Sequence, residues 1–291
     1  VNKFLKVIGG LVLASGVGIV AVDSVQDDAL KRFEDIFNSN VLGMSATGKV
    51  LGSQPKVMLW AWQYPSDLKF IDSETVGVAY LSGKFILRSN SVIVEPRVQK
   101  LLVPNDTYMT AVMRIDVDHG KNAATLSDAQ LEELTKKMIS LLSTKKVQVL
   151  QIDFDALASE RPFYRKLLTA LRKQMPHDMP LSITSLASWC LGDKWLSDSK
   201  CDQVVPMFFS MGKDRQRMLN YLKEHAEFDS IPKEVCIGLS VNEPDVLAQL
   251  HEPTSVVYLF SSNGWESDRA KEWINKFQCG GSNWKELAKQ N

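Results

Sequence analysis

The stretch "LQIDFDALASERPFYRKLL", residues 150–168, carries the reading of the fold. Its first half alternates. Gln151, Asp153 and Asp155 fall on one side of an extended chain, and Ile152 and Phe154 on the other. Its second half turns helical, with Phe163, Leu167, Leu168 and Leu171 three and four residues apart and Ser159 as the expected N-cap. Carboxylates inside an apolar run are expensive to bury unless charges or hydrogen bonds meet them. A strand with its acids on one face, running straight into a helix, fits a β/α unit. Its polar face then looks into a barrel mouth rather than at the helix layer.

Seven similar apolar runs surround it: "VMLWAW" (57–62), "VGVAYL" (76–81), "MTAVMRID" (109–116), "PLSITSLA" (180–187), "QVVPMFF" (203–209), "EVCIGLS" (234–240) and "SVVYLFS" (255–261). Each is rich in aliphatic and aromatic residues and bounded by turn formers, as buried strands are. Helical patterns fall between several of them, at 126–143, 159–175, 214–225 and 267–277. Ser127 caps the first of these, with Gln130 three residues on. Residues 82–106 read as an extended excursion after the second strand, and "KFILRSNSVIVEP" as a hairpin. Eight strands alternating with helices predict an α/β fold, a (β/α)8 TIM-like barrel over 55–291. The alternative, an open doubly wound sheet, lacks a glycine fingerprint after its first strand.

At 291 residues and 45% hydrophobic composition the chain can bury one large core. Its formal net charge of +0 gives no footprint for nucleic acid. Residues 1–24 place Lys3 and Lys6 before an uncharged stretch, Val7 to Val22. That pattern predicts a signal peptide or N-terminal membrane anchor, hence an exported protein, periplasmic or held at the inner membrane. A polar connector, 25–54, follows. The four cysteines permit disulfides in such a compartment, Cys190 with Cys201 and Cys236 with Cys279 being one pairing of three. Four buried thiols are the alternative.

In a barrel the strand C-termini carry the site. The first strand ends on Trp60 and Trp62, and the third on Arg114 and Asp116. The fourth bears Gln151, Asp153 and Asp155, with Glu160 starting the next helix. The fifth runs into Trp189, and the eighth into Trp265 and Glu266. Arg114 is the natural counter-charge for the aspartates. Acids ringed by tryptophans suit a carbohydrate: aromatic faces take the C–H faces of sugars, while carboxylates and Arg take the hydroxyls. Glycoside hydrolysis needs a pair of carboxyls. The expected catalytic candidates are Asp155, Asp153, Asp116 and Glu160. The expected substrate contacts are Trp60, Trp62, Arg114, Gln151, Trp189, Trp265 and Glu266. No metal or cofactor is expected. The four His residues show no HxH or HExxH spacing, "DVDHGKN" reads as a solvated loop, and no GxSxG supports a Ser nucleophile.

The segments "LWAWQYPSDLKFID", "VGVAYL", "QIDFDALASERPFYRKLL", "LSITSLASWCLGDKWL" and "VPMFFSMG" together resemble a bacterial family catalogued as domain of unknown function 3142. The resemblance implies a barrel with a look of glycoside hydrolases. More distantly, "LQIDFDALASE" looks like the DxxDxDxE motif of chitinase-like glycosidases. Asp153 and Asp155 take the places of its second and third aspartates. Leu150 stands at the first aspartate and Leu157 at the acid-donor glutamate, so the pattern is broken at its proton donor. Two expectations follow. In one, the protein is an exported glycoside hydrolase-like enzyme with Asp155 as acid/base, Asp153 orienting it and Arg114 holding the cluster. In the other, it is a non-catalytic barrel of the cell envelope that binds a glycan or a partner.

Overall fold

The computed structural model describes residues 50–190, 194–196, 199–224, 234–247, 249 and 256–278. The expected leader or anchor, most of the connector and Cys279 lie outside them.

Eight strands form the barrel: β1 Val57–Ala61, β2 Val76–Arg88, β3 Met109–Val117, β4 Val149–Asp153, β5 Leu181–Leu186, β6 Gln203–Met207, β7 Ile237–Ser240 and β8 Val257–Phe260. Each pairs in parallel with the next, and β8 pairs with β1. The sheet therefore closes, as the strand count predicted.

Alternation along the strands divides the core in two. Leu59, Ile152, Ile183 and Leu259 point outward into clusters shared with the helices. Met58, Trp60, Val112, Val205 and Tyr258 point inward and fill the barrel. Inside, a polar chain crosses the strands. Trp60 Nε1 donates to Gln151 Oε1 at 3.0 Å, Gln151 Nε2 to Ser182 Oγ at 3.1 Å, and Ser182 Oγ to Gln203 Oε1 at 2.9 Å. Gln203, Gln54 and Tyr258 close a ring below them. Such a network is favourable because its buried groups find partners.

The helices are α1 Asp128–Ser143, α2 Arg161–Gln174, α3 Arg215–Glu224, α4 Pro244–Leu247 and α5 Ser267–Gln278. Ser127 caps α1 by accepting from the Gln130 amide, as expected. The buried Gln130 side chain binds the Leu126 amide and the Ser89 and Ser91 carbonyls, tying α1 to the hairpin tip. Ser159 is not the cap of α2. It lies in a 3-10 turn, Ala158–Glu160, and α2 starts at Arg161 with Pro162 in its first turn, where a missing N–H costs nothing.

Within the excursion expected at 82–106, residues 83–96 form the predicted hairpin, though it is built on the second strand itself. β2 runs 13 residues and pairs antiparallel with Ser91–Pro96. A register shift against β3 between Leu81 and Gly83 inserts one residue. This bulge reverses which side chains face inward beyond it.

Cys190, Cys201 and Cys236 are buried thiols. The permitted Cys190–Cys201 bridge is thus not formed, in line with the alternative of buried thiols, and burial pushes the Cys190 thiol up to about 12.

Gly238 shows how tightly the barrel is filled. A Cβ there would sit 2.9 Å from Trp60 Cη2 and 3.0 Å from the Pro206 carbonyl oxygen. Gly238→Ala is expected to cost about 1–3 kcal/mol by overpacking and to change tryptophan emission by displacing Trp60. Ser127→Ala should cost about 1 kcal/mol with emission unchanged. Thermal melts read by fluorescence check both.

Candidate active site

A cavity of about 410 Å³ opens at the C-terminal ends of the strands. One wall is aromatic: Trp60 and Trp62 from β1 and its loop, Phe209 after β6, and Phe260 from β8. Phe209 and Phe260 stack at 5.1 Å between ring centres. Trp62 meets Phe260 edge-on, as Trp60 meets Phe209. The other wall is charged: Lys84 from β2, Arg114 and Asp116 from β3, Asp153 from β4 and Asp155 just beyond it, with Thr184 from β5 alongside.

Arg114 binds all three aspartates. Its Nη1 lies 2.9 Å from Asp153 Oδ2 and 2.9 Å from Asp155 Oδ2, and its Nε donates to Asp116 Oδ1 at 3.0 Å. Lys84 Nζ takes the other Asp116 oxygen at 2.7 Å. Thr184 Oγ1 donates to Asp153 Oδ1 at 2.7 Å. The acids differ in exposure: the Asp153 side chain is 4% exposed and that of Asp155 is 37%.

These surroundings pull the acids apart. Burial dominates at Asp153 and, with Asp155 beside it, raises its pKa against the pull of Arg114 and Thr184. At Asp116 burial also raises the pKa, but the hydrogen bonds and charges of Lys84 and Arg114 prevail and hold it below the ordinary carboxylate value. Arg114 is desolvated, yet Asp153 and Asp155 keep it firmly protonated. One wall thus holds a proton-favouring carboxyl and an ionised one, the separation that acid/base sites use.

Of the residues predicted for the site, Trp60, Trp62, Arg114, Asp116, Asp153 and Asp155 line the cavity. The others do not. Gln151 lies beneath the floor, spent on Trp60 and Ser182. Glu160 is buried behind the rim, where one oxygen accepts the Leu157 amide and the other meets His119 Nε2 at 2.7 Å. Trp189 packs edge-on against Trp195, beneath the Arg161 guanidinium. Trp265 is buried in the outer core and donates from Nε1 to the Trp60 carbonyl at 2.8 Å, bracing the aromatic wall from behind. Glu266 is exposed, outside the cavity. In the DVDHGKN loop, Asp118 pairs with Arg88 and His119 with Glu160.

Lys84, Phe209 and Phe260 went unpredicted. Phe260 shares a strand face with Tyr258, and Phe209 with Met207, so period-two counting past the strand ends finds both. Lys84 sits beyond the bulge, where the same counting fails.

Arg97, following the hairpin, shapes the rim. Its guanidinium donates to the carbonyls of Ala61, Trp62 and Tyr64, the last at 2.9 Å, and to Gln99 at 3.0 Å. The loop that presents Trp62 and Gln63 is held through its backbone.

Fold and cavity together define a closed (β/α)8 barrel with its candidate site at the C-terminal ends of the strands. Residues 97–204 match the family model described as "Domain of unknown function (DUF3142)". Among solved structures, a Streptomyces coelicolor protein assigned as Chitinase A is similar at 12% identity and a TM-score of 0.51, over 76% of this chain and 96% of that one. A GH113 β-1,4-mannanase aligns at 7% identity and a TM-score of 0.46, over 79% and 100%. The spore cortex-lytic enzyme SleL of Bacillus megaterium QM B1551 aligns at 13% and 0.43, over 65% and 51%. No curated protein matches the chain by sequence.

The opposite shifts of Asp116 and Asp153 give opposite pH signatures. The lowered Asp116 contributes stability that is fully present above the unfolded carboxylate value and lost as pH falls through its folded value. Asp116→Asn should therefore melt below the parent at neutral pH, with the gap closing in acid. Asp153 is raised, so the parent gains stability as pH falls from its folded value towards the unfolded one. The melting temperature of the parent minus that of Asp153→Asn should therefore rise as pH falls over that window. Melting temperatures across the acidic range test both signs.

Proposed function

We propose that the protein is a glycoside hydrolase-like enzyme acting on a poly- or oligosaccharide with Asp155 as acid/base. The observation that carries this reading is one cavity with an aromatic wall facing a wall of three carboxylates in unequal environments. Sugar C–H faces would lie on Trp62, Phe209 and Phe260, with hydroxyls toward Asp116, Arg114 and Lys84. Asp155 and Asp116 are similarly exposed, at 37% and 33%, but Asp116 has both oxygens held by cations while Asp155 is paired with Arg114 through Oδ2, which leaves Asp155 the better placed to meet a glycosidic oxygen. Asp153, buried beside it, would orient it through the Arg114 nitrogen that both carboxyls bind. Ionised Asp116 would stabilise the positive charge of an oxocarbenium-like transition state. Asp153 Oδ2 and Asp155 Oδ2 share one guanidinium nitrogen at 2.9 Å, so they lie no farther apart than twice that distance. That closeness suits Asp153 to holding Asp155 in place through their shared Arg114 nitrogen. Export of the enzyme rests on the apolar N-terminal segment, where a leader or an anchor would place it in the periplasm or at the inner membrane.

A second reading, a glycan-binding barrel without catalysis, has its own support. Leu157 stands where the chitinase-like pattern has its donor glutamate, and the residue is 53% exposed.

Reducing-end release from bacterial and plant polysaccharides separates the two. Asp155→Asn is expected to lose at least ~100-fold in turnover while melting like the parent. Trp62→Ala should raise KM about tenfold with a smaller change in kcat, as lost uniform binding does. Saturable binding without release, in parent and variant alike, would establish the non-catalytic reading.

A further inference from the structure

Resting on that carbohydrate reading, we propose that the ligand is a cationic amino sugar, an oligosaccharide whose units at the cavity carry free ammonium groups. The argument is charge balance in a confined space. Among the described residues the cavity is lined by three carboxyls, Asp116, Asp153 and Asp155, and two cations, Lys84 and Arg114. Both cations are already committed. Lys84 is bound to Asp116, and Arg114 to all three acids. Neither is left to meet an anionic sugar, and with Asp153 ionised the wall carries one negative charge more than its cations balance; burial opposes that charge unless a further cation joins the wall.

The position of the surplus matters. Asp116 has both oxygens engaged, one by Lys84 and one by Arg114. Asp153 likewise has one oxygen on Arg114 and the other on Thr184. Asp155 meets Arg114 through Oδ2 and faces the opening. An ammonium entering between Asp155 and the aromatic wall meets a carboxylate on one side and ring faces on the other, and a cation is attracted by both. It also supplies the positive charge for which burial otherwise forces Asp153 to compete with its neighbours. An acetylated amine brings no charge and gains none of this. A uronic acid adds a fourth carboxylate to the wall and is repelled.

Calorimetric titration of the full chain with four hexasaccharides tests the proposal: fully deacetylated glucosamine, its N-acetylated counterpart, mannose and galacturonate. The pH is set so that amines are protonated and exposed carboxyls are not. The glucosamine oligomer is expected to bind about tenfold tighter than either neutral oligomer, with an advantage that added salt erodes. Asp155→Asn should bring the two classes close to parity. Lys84→Gln, which removes a cation, should enlarge the preference. Neutral oligomers binding as tightly as glucosamine, or galacturonate binding best, would overturn the amino-sugar inference and leave the carbohydrate site standing. Binding of none of the four would remove both.

Discussion

The Arg114 guanidinium is the point on which the charged wall depends. Three aspartates, two on adjacent strands and one just beyond, crowd the mouth of a closed barrel, and without a cation among them they would repel one another in a poorly solvated space. A lysine could not replace it. Arg114 uses Nε toward its own strand and Nη1 toward the next, bonding in two directions from one rigid plane. Its pairs are not equivalent. The buried Asp153 partner is costly to ionise even with Arg114 in place, whereas Asp116 is relieved by a second cation. Different environments for chemically identical groups arise from one shared counter-charge, one extra lysine and a gradient of burial across a few ångströms.

Barrel closure makes that arrangement rigid. The polar chain from Trp60 through Gln151, Ser182 and Gln203 ties β1, β4, β5 and β6 together beneath the cavity. The aromatic wall stands on this floor and is braced from outside by Trp265. The site therefore inherits the stiffness of a packed interior rather than that of its loops, a condition for holding groups in productive geometry.

The eight strands and their order were legible because parallel strands buried on both faces leave near-continuous apolar runs. The fourth-strand acids were legible because polar residues at period two inside such a run mark a face turned away from the helix layer. The outer tryptophans were misread for a general reason. Proximity to a strand end in sequence does not say which side of the barrel a side chain reaches, and the chain turns outward at Trp189 and Trp265. Glu160 was a reasonable candidate by spacing, but a 3-10 turn directs it back onto the Leu157 amide. Lys84 was hidden by the bulge, since one inserted residue inverts the alternation that strand counting relies on.

Arg97 grips the first rim loop by its carbonyl oxygens, at Ala61, Trp62 and Tyr64. Carbonyls are common to every amino acid, so the grip is indifferent to which side chains the loop displays. The bonds from Arg97 do not depend on which side chains stand at positions 62 to 64. The rim separates shape from identity: an unchanging frame in which new recognition surfaces can be tried one residue at a time, without the barrel having to fold anew.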